Sequence, residues 1–135
     1  METLRPALSD HDLQHLSTLA LAHVGDGVFS LMVRVRLCLS GHPTAAKLHR
    51  QSVAHVRAGA QAEYARLLWA HLSGEEQTVF LRGRNAETHT QPQSATREEY
   101  GQATALEALW GWLYLTGRQD RLEELFDMLP IGTNP

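Results

Sequence analysis

The chain has 135 residues, 43% of them hydrophobic, and a formal net charge of −3. That length suits one domain with a single core, and no uninterrupted apolar run of about 18 residues suggests a membrane span. Met1 to Asp12 carries three acids and one Arg, the wrong charge order for a signal peptide. Cys38 is the only cysteine, which excludes an intrachain disulfide and points to an intracellular, cytoplasmic setting.

The net charge taken alone speaks against a nucleic-acid partner, but the charges are segregated. Residues 28–85 hold eight basic side chains against three acids, and residues 86–135 hold three against eight. Such a chain can turn one basic face to a polyanion while its total stays negative. Eleven of the twelve basic residues are Arg, the better bidentate ligand for phosphate, although an arginine-rich genome gives the same ratio.

The pattern predicts helices throughout, about six to seven of them, in an all-α domain over residues 1–135 with its core at about 13–129. After a solvated helix start at His11-Asp12, a long helix runs from about Leu16 to Leu39 and stops at Gly41. Thr44 caps a second, to about Val53, and a third spans about Gln61 to Leu72. Capping boxes are expected at Ser73 with Glu76, at Thr96 with Glu99 and, in an Asp variant, at Asp120 with Glu123. These open helices ending near Arg82, Thr116 and Leu129. Gly83 to Ala95 is the long irregular stretch, polar and interrupted by Pro92.

The first and fifth of these helices are apolar on nearly every face, so they belong at the centre. Each contains one acid out of place: Asp26 between Gly25 and Gly27, and Glu107 in a run from Ala103 to Leu115. A lone ionised carboxylate in a core is costly enough that it takes a proton, pairs, or binds a metal. His23 is near enough in sequence to pair with Asp26, whereas no basic residue lies within a turn of Glu107. One solution is that both acids emerge at a cleft edge and share Mg²⁺ or Mn²⁺, whose preferred ligands are oxygens. The alternatives are a salt bridge for Asp26 and a neutral buried hydrogen bond for Glu107. Gly25, Gly27 and Gly111 cost about 0.8–1.0 kcal/mol each relative to Ala in a helix, which suggests close backbone approach beside the acids.

The other polar features carry less. Eight histidines show no metal-ligand spacing, and His11-Asp12 lacks the upstream His of a His-Asp phosphohydrolase. Cys38 reads as a small core residue. Trp110, Trp112 and Tyr114 suit core and subunit contact better than base stacking, and there is no Gly-rich phosphate loop. Gly111, Trp112 and Leu115, with Val28, Phe29 and Met32 on the first helix, look like more apolar surface than one small core absorbs, which predicts a homodimer.

Three segments resemble one known family. Ala20-Leu-Ala-His-Val-Gly-Asp-Gly-Val28 is similar to the ribonuclease III signature, and Ala105-Leu-Glu-Ala-Leu-Trp-Gly-Trp-Leu-Tyr-Leu115 to that family's second acidic helix. Arg82-Gly-Arg-Asn-Ala86 resembles a motif of the Mini-III branch. With Tyr100, Ala103 and Thr104, the likeness covers about residues 13–129.

The resemblance implies a ribonuclease III-like helical nuclease domain in which Asp26 and Glu107 are catalytic and hold the metal, Mg²⁺ with Mn²⁺ able to substitute. Ala22 and Thr104 stand where two further acids occur in typical ribonuclease III, as they do in Mini-III, so protein ligation should be sparse. It also implies hydrolysis of double-stranded RNA to 5′-phosphate ends, a homodimer, and no appended double-stranded-RNA-binding domain. Arg82, Arg84 and Asn85 would then contact RNA, with the 83–95 stretch entering a groove. The implied role is maturation of precursor large-subunit (23S-type) ribosomal RNA, with a ribosomal protein as a candidate to present it. Gly27, Glu87 and Gly101 depart from the family pattern, and the last two remove positive charge. The rival readings are a catalytically inactive RNA-binding module of the same fold and a helical protein-interaction domain.

Overall fold

A computed structural model describes residues 2–41, 44–86 and 96–132. These contain seven α-helices: α1 (Asp10–Leu13), α2 (Thr18–Leu39), α3 (Ala45–Val56), α4 (Ala58–Leu68), α5 (Gly74–Arg84), α6 (Arg97–Leu115) and α7 (Gln119–Phe126). A 3-10 turn at Trp69–His71 follows α4, and no strand occurs among the described residues, so the all-α expectation holds.

Local chemistry sets most of the helix starts. The side chains of Ser9, Ser17, Thr44, Ser73 and Thr96 each accept a hydrogen bond from the backbone N–H three residues on, satisfying donors that a helix start leaves unpaired. Ser73 with Glu76 and Thr96 with Glu99 close the expected capping boxes, and Ser9 with Asp12 adds a third. The box expected at Asp120 does not form. Gly117, at φ 76°, ends α6, where Arg118 N–H donates to Leu113 O at 2.8 Å. Helix α7 restarts at once, Leu122 N–H donating to Arg118 O at 3.0 Å, so Asp120 already lies inside the first turn.

Helix α6 is the axis of the molecule, with α2, α4 and α5 packed around it. Ten of its residues between Ala103 and Leu113 are buried, Glu107 being the half-buried exception. Against it, Phe29 of α2 stacks on Trp110 at 5.6 Å and meets Phe126 and Tyr64 edge-on. Emptying a fully buried position such as Leu109 to Ala costs about 2–5 kcal/mol at sites of this kind.

Two glycines set the α2–α6 distance. A Cβ on Gly25 would sit 1.7 Å from Glu107 O, and one on Gly111 would sit 1.9 Å from Leu21 O. No side chain fits at either place. Gly27 differs from the expectation: nothing lies within 4 Å of where its Cβ would be. A third tight seat appears at Gly83, whose Cβ would meet Ala105 Cα at 2.7 Å, pressing α5 onto the same stretch of α6.

The six apolar residues expected at an interface divide, Val28, Met32 and Leu115 being half-buried. Gly111 and Trp112 are buried in the chain's own core, as is Phe29, and Cys38 is exposed rather than a core residue. Among the exposed large hydrophobic residues, Leu31, Val35 and Leu39, at 59%, 48% and 60% exposed, form one stripe down the outer face of α2. An apolar groove of about 470 Å³ runs between this stripe and α3, lined by Val35, Cys38, Leu39, Ala45 and Leu48 among others. Helix α2 is also long and apolar enough to cross a membrane by length and composition. It nevertheless packs along α6 as a core helix of this fold.

Candidate active site

Gly25 fixes where Asp26 stands. Its contact with the Glu107 carbonyl brings the two acids to the same level of the α2–α6 crossing. Asp26 is exposed and Glu107 half-buried, and their carboxyl groups lie within hydrogen-bonding reach of each other. The fold thus brings together the two acids that the sequence singled out.

The electrostatics follow from that proximity. Burial raises the Glu107 carboxyl, the negative charge of Asp26 raises it further, and together they push it from 4.5 to about 8. A hydrogen bond from Gln61 Nε2 to Glu107 Oε2, 3.3 Å, pulls the other way without offsetting them. At neutral pH and without a cation, Glu107 keeps its proton. Among the described residues no hydrogen bond or ion pair joins exposed His23 to Asp26, and no side-chain cation pairs with either acid.

This arrangement suits a divalent cation. Two oxygen-bearing groups sit together with excess negative charge, and the fully buried Gln61 beside them has an Oε1 with no donor. Among the described residues no group of three or more His, Cys, Asp and Glu side chains gathers anywhere. Sparse protein ligation is the expected consequence of Ala22 and Thr104. Both are buried, and the Thr104 hydroxyl is taken up by Tyr100 O at 3.0 Å within its own helix.

Arg82, Arg84 and Asn85 are exposed at the end of α5, the first two flanking Gly83. The tight seat of Gly83 on Thr104, Ala105 and Ala108 holds the backbone of this end of α5 against α6. Helix α5 thus runs to Arg84, two residues beyond the expected end, and Asn85 caps it. Glu87 and the rest of the 87–95 stretch lie outside the described residues.

Elsewhere the basic residues divide. Arg34, Lys47, Arg50, Arg57 and Arg66 are exposed. Arg36 is not: it is 9% exposed, bonds Asp127 at 2.6 Å and lies over the Phe126 ring, so it serves the fold. Asp12, of the His11-Asp12 pair, accepts from Ser9 N–H and Oγ–H and is a helix cap. Gln61 is the site residue that sequence reasoning missed; its one signal was a polar side chain in a run of Ala and Gly from Ala58 to Ala62.

Comparison with known proteins bears on these residues as a set. Residues 19–118, which include both acids and the Arg82–Ala86 motif, match the ribonuclease III domain family. The chain is 36% identical over 121 residues to the Mini-ribonuclease 3 of a Thermoanaerobacter species, covering 90% of this chain and 85% of that one. It is 43% identical over 110 residues to the Mini-ribonuclease 3 of Symbiobacterium thermophilum, covering 82% and 85%. A crystal structure of a Fusobacterium nucleatum protein superposes with a TM-score of 0.77 at 29% identity, covering 87% of this chain and 93% of that one. On this footing the chain belongs to the ribonuclease III family, in its Mini-ribonuclease 3 branch, and is an endoribonuclease.

Proposed function

We propose that Asp26 and Glu107 together hold Mg²⁺, with Mn²⁺ able to substitute, and that the enzyme hydrolyses phosphodiesters of double-stranded RNA there. Ribonuclease III enzymes in general depend on divalent metal. The observation that carries the assignment is the carboxyl pair itself: Glu107 stands against Asp26, is pushed up to about 8, and has no neutralising cation among the described residues. A bound divalent cation supplies Lewis acidity and neutralises charge on the phosphate oxygens. Asp26 and Glu107 bind and orient it, and the buried side of the site keeps Glu107 from turning to solvent. The products carry 5′-phosphate ends.

Arg82, Arg84 and Asn85, exposed at the end of α5, grip the RNA backbone. Duplex RNA presents a wide, shallow minor groove with 2′-hydroxyls, so recognition favours shape over sequence. The enzyme works as a homodimer, which gives a small domain two sites on one duplex. The Leu31, Val35 and Leu39 stripe, on the same helix as the half-buried Val28 and Met32, is the surface that pairing would cover. Its physiological substrate is precursor large-subunit ribosomal RNA in the cytoplasm, presented in one version of this reading by a ribosomal protein.

The test is incubation of the purified protein with long duplex RNA, with and without Mg²⁺, beside Asp26→Asn and Glu107→Gln. Cleavage that needs Mg²⁺ and vanishes in both folded variants supports the assignment, and the double variant should lose little more because the two act as a unit. Binding without cleavage in the wild type would make the chain an inactive RNA-binding module instead.

A further inference from the structure

Gln61 is 1% exposed, on the side of α4 that packs against α6. Its Nε2 has two acceptors, Val56 O at 2.9 Å and Glu107 Oε2 at 3.3 Å. The Val56 carbonyl fixes the amide orientation, since the flipped amide would set oxygen against oxygen there. That orientation leaves Oε1 buried without a donor. Buried amide oxygens are nearly always paired, so an orphan calls for an explanation.

The surroundings do not require an amide here. The other core-facing positions of α4 are Ala60, Ala62, Tyr64, Ala65 and Leu68, the Tyr64 hydroxyl being paired with His55, and a Met at 61 would fill the same space without an orphaned acceptor. Of the two bonds Gln61 makes, only the one to Glu107 reaches the carboxyl pair. We infer that Gln61 is a positioning residue: its N–H ties back one oxygen of Glu107 and leaves the other turned to the cation shared with Asp26. Its Oε1 is then available to solvent that enters the site with the cation. This inference rests on the reading of Asp26 and Glu107 as cation ligands.

The experiment is a titration of the RNA-free protein with Mn²⁺, reading free Mn²⁺ by electron paramagnetic resonance, for wild type, Gln61→Met and Glu107→Gln. Gln61→Met should bind Mn²⁺ about tenfold more weakly, the scale seen when a residue supporting a metal ligand is removed. Its cleavage rate should recover at high Mg²⁺ while its KM for RNA stays unchanged. A Met variant with wild-type Mn²⁺ affinity overturns the inference if Glu107→Gln has lost binding; if Glu107→Gln also binds normally, the ligand assignment itself falls. Should Gln61→Met not fold, the wild-type protein decides by nuclear magnetic resonance. The Gln61 side-chain amide signals should move as Mg²⁺ is added, and signals that stay in place through saturation refute the role.

Discussion

Replacing Glu107 by Gln should make the metal-free protein more stable at alkaline pH, against the usual expectation for a substitution at a buried site. Between pH 4.5 and about 8 the folded state keeps a proton on Glu107 that the unfolded chain has released. Folding stability from this group is therefore fully present below 4.5 and is lost as pH rises through about 8. At about 1.36 kcal/mol per pH unit, the whole window is worth roughly 5 kcal/mol, a large share of a small domain's total. Gln keeps the volume and cannot ionise, so its variant should escape this loss. The assay is urea unfolding in chelator at pH 5, 7 and 9, taking the difference between variant and wild type at each. His55, whose ionisation burial holds down, and Glu76, held low by Arg121, titrate in both proteins and cancel in that difference. Adding Mg²⁺ at pH 9 should restore the wild type and leave Gln unchanged, because only one of them binds it. A variant-minus-wild-type difference that stays flat from pH 5 to 9 would refute the reasoning about the carboxyl pair.

Arg82→Ala with Arg84→Ala should weaken duplex RNA binding and flatten its salt dependence by about two units of log–log slope; an unchanged slope would put the RNA on Arg34, Arg50 and Arg57 instead. Light scattering of the wild type should give about twice the chain mass of 15.1 kDa, and Leu31→Arg should give a monomer. A wild-type protein monomeric at micromolar concentration removes the basis for pairing through α2. Gly111→Ala should cost about 3 kcal/mol or more because its Cβ would overlap Leu21 O, while Gly27→Ala, in open space, should gain about 0.8 kcal/mol. Equal melting temperatures for those two variants would contradict the packing described for the α2–α6 crossing.

Asp26 and Glu107 were legible because each is a charge inside an apolar run, a conflict that one chain resolves in few ways. The caps at Thr44, Ser73 and Thr96 were legible because a capping side chain acts on donors three residues away. Gln61 was not, since α4 mixes polar and apolar residues in ordinary helical rhythm and nothing local marks which polar one turns inward. Cys38 and the outer face of α2 misled for a related reason. An apolar stretch reports that a surface avoids water, not whether its own core or another surface covers it. Asp120 failed because its position depends on how Gly117 ends the preceding helix, and that geometry leaves no room for a separate cap.

The contact between Gly25 and Gly111 ties the spacing of the two acids to main chain touching main chain. Side chains elsewhere in the core can change shape over evolutionary time without altering that spacing, because none stands between the helices at this point. The spacing of the two acids is thus insulated from drift in the residues that stabilise the fold. Mutational tolerance in this protein should divide sharply: wide latitude at positions such as Leu106 or Leu113 if volume is kept, and almost none at two residues that have no side chain to alter.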